Sequence, residues 1–281
     1  MLVPVLWGLN FPASAIVLHH YPPMLGAAIR FALIAVPTLV LVPFPQVAPI
    51  WLFGTGLGVG LLQFAFLYAG LELGMPPGLA SLVLQASAPL TVILAIIFLG
   101  ERLTTGKVAG LMLAVSGLVI IGAARAQTVD WWTLTLTVLA ALSWAAGNIC
   151  IRKAQADRPF HLAMWMTVIP PVPLLGMSIL SEGEQIWPAL AGAFSPAAIP
   201  ANVALVFSAF GASVIGFGIW NNLLTRHAAA SVAPWSLLVP VVGILSSWAM
   251  FDEVPLGVEI AGGALILAGI FVVNRRWGQD R

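Results

Sequence analysis

Ten apolar runs of membrane-crossing length take up most of the chain, at about 2–18, 24–43, 50–71, 76–99, 105–124, 131–152, 160–180, 199–224, 229–250 and 256–274. A bilayer core needs about 20 residues of helix to cross it. No water in that core can pair with the backbone, so a spanning segment is a helix or part of a closed barrel. The runs are about twice the length of barrel strands and do not alternate in polarity, which selects helices. Composition agrees: 60% of residues are hydrophobic and 7% charged, against about a quarter charged in soluble domains. The expected fold is an all-α membrane protein with the lipid bilayer as its solvent. Met1–Leu18 lacks the basic start and small-residue cleavage site of a signal peptide and reads as a first span.

Turns follow Pro, Gly and polar clusters, such as His19-His20-Tyr21-Pro22-Pro23 and Pro43–Pro49, and only Ser181–Pro200 is long. Basic residues fall on alternate turns. Arg102, Lys107, Arg152, Lys153, Arg158, Arg226, Arg275, Arg276 and Arg281 share one side, with only Arg125 opposite. Basic loops stay cytoplasmic, so both termini are expected inside a bacterial inner (plasma) membrane. A net charge of +1 and the absence of a basic run exclude nucleic acid as a partner. The single Cys150 excludes an intrachain disulfide and a cysteine metal cluster and reads as an apolar filler. No metal or cofactor is expected.

The chain repeats itself. From Glu101 it reads E-x8-G-x6-G through Gly110 and Gly117, and from Glu253 the same through Gly262 and Gly269. Ala80-Ser81 matches Ala230-Ser231, Pro89 matches Pro240 with a one-residue slip, and Trp7 with Asn10 matches Trp144 with Asn148. Two five-helix units are expected, residues 1–126 and 127–281. Five is odd, so the second enters the membrane upside down. Inverted repeats around a mid-membrane cavity are a transporter device, although channels also use them.

The stretch Tyr68–Gly122, with "WGLNF" at Trp7–Phe11, "IRFAL" at Ile29–Leu33 and "SWAAGNICIRKA" at Ser143–Ala154, resembles the drug/metabolite transporter superfamily, EamA type, over the whole chain. The resemblance implies ten helices in two inverted halves, with a central cavity lined mostly by helices 1, 3, 4, 6, 8 and 9. It also implies export of amino acids, including aromatic ones, and hints at a weak homodimer through helices 5 and 10. Asp252-Glu253-Val254 departs from the Gly-Glu-Arg of the first half.

The neutral polar and aromatic residues on those helices are the expected substrate-binding set: Trp7, Asn10, Gln63, Tyr68, Ser81, Gln85, Trp144, Asn148, Phe217, Trp220, Asn221 and Trp235. Singly, buried amides and hydroxyls are more often glue between helices; together, amides, hydroxyls and aromatic faces suit an ammonium, a carboxylate and an apolar side chain. Pro89, Pro240, Gly100 and Glu101 are the expected hinge or gate, since an internal proline removes a helix bond and kinks the segment. Glu101 alone reads as structural, a cap for helix 5 or a partner of Arg102 or Lys107. Arg30 is the one full charge deep in a span, where charge is costly. A bond to backbone carbonyls or snorkelling outward is the preferred reading over attraction of a substrate carboxylate. Glycine pairs Gly54/Gly58 and Gly56/Gly60 predict close helix contacts.

No acid or histidine is expected at mid-span and no phosphate-binding GxxxxGK[ST] loop exists. Facilitated export of a neutral or aromatic amino acid or related metabolite is therefore expected, with drugs or purines as alternative substrates. A channel is the alternative of another class, and an enzyme is not expected.

Overall fold

In the computed structural model, which describes residues 2–75, 77–125, 130–251 and 256–274, those residues form helices and no strands. The ten principal helices are α1 (Leu2–Leu18), α2 (Pro23–Leu41), α3 (Pro49–Thr55, Gly56–Leu62 and Gln63–Glu72), α4 (Pro77–Leu84 and Ser87–Leu99), α5 (Thr105–Arg125), α6 (Trp131–Ala154), α7 (Pro159–Trp165, Met166–Val168 and Pro171–Ser181), α8 (Ile199–Val206, Phe207–Ile215 and Gly216–Arg226), α9 (Ala229–Val232, Ala233–Leu238 and Val239–Phe251) and α10 (Gly257–Asn274). Among the described residues, eight helices, α2 to α9, are long and apolar enough to cross a membrane; Leu2–Leu18 and Ile260–Val273 are shorter apolar helices. Large apolar side chains such as Val40, Val172, Leu180 and Phe271 stand on the outside, as a lipid solvent allows. The repeat residue Glu253, with Asp252 and Val254, lies outside the described residues.

Helix irregularities come in pairs five helices apart. Gly56–Leu62 in α3 and Phe207–Ile215 in α8 are π-helical. α4 breaks at a turn over Gln85–Ala86, and α9 tightens to a 3-10 helix over Ala233–Leu238. The cause of the second pair is in the sequence. A proline ring collides with the carbonyl four residues earlier, and those residues are Gln85 for Pro89 and Ser236 for Pro240.

Glycine decides which helices touch. α3 lies between α6 and α7 through two glycine rows. A Cβ on Gly58 would stand 2.6 Å from the Ser143 carbonyl and 2.8 Å from Gly147 Cα, and one on Gly54 would meet Cys150. Gly56 and Gly60 instead face Ile169 and Pro170. α5 packs along α10 with Gly110 against the Gly269 carbonyl and Gly117 against that of Gly262. The motif glycines thus meet in crossed order, so the two helices run antiparallel. α1 packs on α8 and α9, α6 on α3 and α4, and α2 on α7.

The stretch expected as a long loop, Ser181–Pro200, contains a short amphipathic helix, Gly183–Ala191, whose Ile186 and Ala189 join a core with Tyr21, Leu25 and Ala201. Glu182 just before it is buried, and its carboxylate accepts from the N–H groups of Met24 (2.7 Å) and Leu25 (3.0 Å) and from Ser178 Oγ (2.8 Å). That carboxylate satisfies free N–H groups in the first turn of α2, and a negative charge is favoured there.

The close α3–α6 contact makes a sharp expectation. Gly58→Ala forces two backbones apart and should cost about 1–3 kcal/mol, seen as a lower melting temperature in detergent. Gly176→Ala, with nothing within 4 Å of the new Cβ, should leave it unchanged.

Candidate functional site

A cavity of about 240 Å³ lies among α1, α2, α3, α4, α6, α8 and α9. It extends from an aromatic cluster toward the end of the bundle where α1 and α3 finish and α4 begins, reaching Leu18, Tyr68 and Ala80.

The cluster is built on Trp7. Its ring lies 4.9 Å from Trp144 edge to face, 5.1 Å from Trp220 and 5.9 Å from Phe217. Its Nε1 donates to the Ala212 carbonyl at 2.9 Å, in the π-helical part of α8. Gly216 admits the ring: a Cβ there would sit 2.6 Å from Trp7 Nε1. The same π-helix supplies Ser213, whose Oγ donates to the Ser208 carbonyl and accepts from Arg30 Nε, both at 3.0 Å. Single-turn π segments often mark functional sites because they re-aim backbone groups.

Of the expected binding residues, Trp7, Asn10, Gln63, Tyr68, Gln85, Trp144 and Phe217 line the cavity. Asn148 and Trp220 lie behind it. Asn148 Nδ2 donates to Thr91 Oγ1 (3.1 Å), and its Oδ1 accepts from Trp220 Nε1 (2.9 Å), tying α6 to α4 and α8. Asn221 is buried near Met166, 3.9 Å from its sulfur, with Oδ1 unpartnered. Trp235 packs against a core cluster that includes Leu82, Leu237 and Ile266. The side chain of Ser81 lies outside the described residues.

Gln85 donates from Nε2 to the Ser236 carbonyl. Pro240 has no N–H to give this oxygen, which accepts within α9 from Val239 N–H instead, and Ser236 lines the cavity. Both prolines thus mark the joint between α4 and α9. Gly100 ends α4 at φ +65°, a left-handed conformation that suits glycine. Glu101, beyond it, caps α9 rather than α5. Its two carboxylate oxygens accept from the N–H groups of Ala229 (2.8 Å) and Ala230 (3.0 Å). Lys107 Nζ donates to Ser231 Oγ at 2.8 Å beside it. An acid at a helix start satisfies orphan donors and the helix dipole together, and here it fastens α4 to α9.

Arg30 departs most from expectation. It is 7% exposed, lines the cavity and has its guanidinium 5.5 Å from the Phe64 ring and 5.9 Å from that of Phe31. It bonds a serine hydroxyl, not backbone carbonyls, and it does not snorkel. Phe11, Phe64 and Ser87 also line the cavity. Their sequence signal was weak, because single Phe and Ser residues in spans are common packing elements.

Asn148→Leu should leave Trp220 Nε1 buried without an acceptor, at a cost of about 1–3 kcal/mol, read as reduced thermal stability of the purified protein. Gly216→Val should displace Trp7 and change the intrinsic tryptophan emission.

The chain matches the EamA-like transporter family over residues 1–123 and 131–275. It is 39% identical to a probable amino-acid metabolite efflux pump of Salmonella typhimurium, over 97% of this chain and 92% of that protein. It is 38% identical to a protein of the same description from Escherichia coli, over 99% and 94%. A probable terminal-alkyne amino-acid exporter of Streptantibioticus cattleyicolor is 29% identical, over 98% and 92%. One crystal structure superposes with a TM-score of 0.79 at 22% identity, covering 98% of this chain and 96% of that one, which shows a shared fold. The chain is a membrane transport protein that belongs to the EamA-like transporter family.

Proposed function

We propose that this protein exports neutral and aromatic amino acids across the bacterial inner membrane by alternating access, without an ion gradient. The carrying observation is the cavity itself: Trp7, Trp144, Phe217, Phe11 and Phe64 offer apolar walls, while Asn10, Gln63, Gln85 and Arg30 offer polar groups. Aromatic walls with a few placed polar groups suit a small amphipathic solute. The descriptions of the Salmonella typhimurium, Escherichia coli and Streptantibioticus cattleyicolor relatives favour amino acids among such solutes.

Two inverted five-helix units, residues 1–126 and 127–281, are part of this reading. The paired π segments, the paired breaks before Pro89 and Pro240, and the crossed glycine contacts of α5 and α10 support it. With both termini cytoplasmic, the cavity reaches toward the outside. On the other side Glu101 holds the end of α4 against α9 and Lys107 holds α5 to it, and together they close the inner mouth. Opening inward then requires release of the Glu101 cap, and Pro89 and Pro240 are the points about which α4 and α9 bend. Facilitated diffusion is supported by the lining, whose described residues include no carboxylate or imidazole.

Liposome uptake of labelled phenylalanine, methionine and threonine, competed with purines, tests the reading. Saturable uptake with trans-stimulation is expected, changing less than about twofold when the pH gradient is collapsed. Uptake without trans-stimulation points instead to a channel, and purine transport alone rejects amino acids. Trp144→Ala should cut phenylalanine uptake about tenfold or more through the lost ring contacts, at unchanged expression. Glu101→Ala should slow exchange and expose α9 near Ala229 to labelling from the inner face.

A further inference from the structure

Arg30 is a buried cation without a carboxylate partner among the described residues. Nε is used by Ser213. The two terminal nitrogens bond no described protein acceptor, and neither is among the buried unpartnered atoms, so both remain open to a ligand. A lone buried charge among neutral groups is unfavourable until an opposite charge arrives.

Two amides line the same cavity with an unmet need of the other kind. Asn10 Nδ2 contacts Ser14 Oγ at 3.3 Å, but its Oδ1 is buried without a partner, and so is Gln63 Oε1. Gln63 is 3% exposed. Each orphaned oxygen is an acceptor lacking a donor, and it meets a solute once its amide turns into the cavity that it lines. Arg30 also borders a side chamber of about 20 Å³ with Ser14, Tyr68 and Ser208. That space holds about one water and is too small for a solute, so the main cavity is where Arg30 meets one.

Resting on the exporter reading, we propose that Arg30 binds the α-carboxylate of the transported solute and that Asn10 and Gln63 accept from its α-ammonium. The site then recognises the free zwitterionic end of an amino acid, leaving the aromatic cluster for its side chain. A planar guanidinium suits a carboxylate in particular, since it can donate two parallel bonds.

The test is inhibition of labelled phenylalanine uptake into liposomes by phenylalanine, by phenylalaninamide, which lacks the carboxylate, and by N-acetylphenylalanine, which lacks the ammonium. In the unmodified protein both analogues should inhibit at least about tenfold more weakly than phenylalanine. Arg30→Gln should weaken phenylalanine about tenfold and phenylalaninamide less than about threefold. Gln63→Leu should narrow the gap between phenylalanine and the N-acetyl compound. Equal inhibition by acid and amide in the unmodified protein overturns the proposal while leaving the exporter reading intact, and needs no variant to fold. A uniform loss for all probes in Arg30→Gln also overturns it, since that marks a structural arginine. Failure of every amino acid to be taken up overturns both readings.

Discussion

Lipid offers no hydrogen bonds, and the rest of this structure depends on that constraint. A polar group placed inside the bundle is costly unless a partner inside the bundle meets it. Gln85 meets the Ser236 carbonyl, Asn148 joins Thr91 to Trp220, and Trp7 reaches the Ala212 carbonyl. Each of these bonds links helices far apart in sequence. The polar residues that an apolar chain keeps therefore determine which helices are neighbours. Glycine then determines how near those neighbours come, as where Gly58 meets the backbone at Gly147.

The cavity arises where helices stop being regular. A π segment in α8 turns Ala212 and Ser213 toward Trp7 and Arg30. A turn in α4 and a 3-10 stretch in α9 bring Gln85 and Ser236 together. A regular α-helix keeps its carbonyls for itself, so it can offer a site only side chains. Broken helices offer backbone as well, and they can do so at membrane depth only because protein surrounds them.

Much of this was legible in the sequence. Run length and the missing charge gave helices and lipid. Prolines 89 and 240 marked the irregular stretches, since ring geometry leaves little choice. Trp7 and Trp144, at matching places, pointed to the cavity wall. Legibility failed where an answer depends on a partner far along the chain. Glu101 was expected to serve the helix that follows it, yet it serves α9. Local sequence cannot say which helix start lies nearest in space. Arg30 was expected to bond backbone carbonyls, but its partner is a serine hydroxyl 183 positions away. Asn148 and Trp220 were expected to face the cavity and instead satisfy one another. For a buried amide, facing a cavity and bracing a wall look alike in sequence. The helix Gly183–Ala191 was missed because it is too short and too polar to read as a span.

One oxygen carries a wider consequence. Pro240 lacks the N–H that an α-helix would aim at the Ser236 carbonyl, so that oxygen accepts from the Val239 N–H in a tighter turn and, as a second bond, from Gln85, 151 positions away. The tightened turn within α9 and the attachment between α9 and α4 share one oxygen. A sequence drifting toward better helix formers at this point would make a straighter rod that grips its neighbour less, so selection for local order and selection for assembly pull in opposite directions.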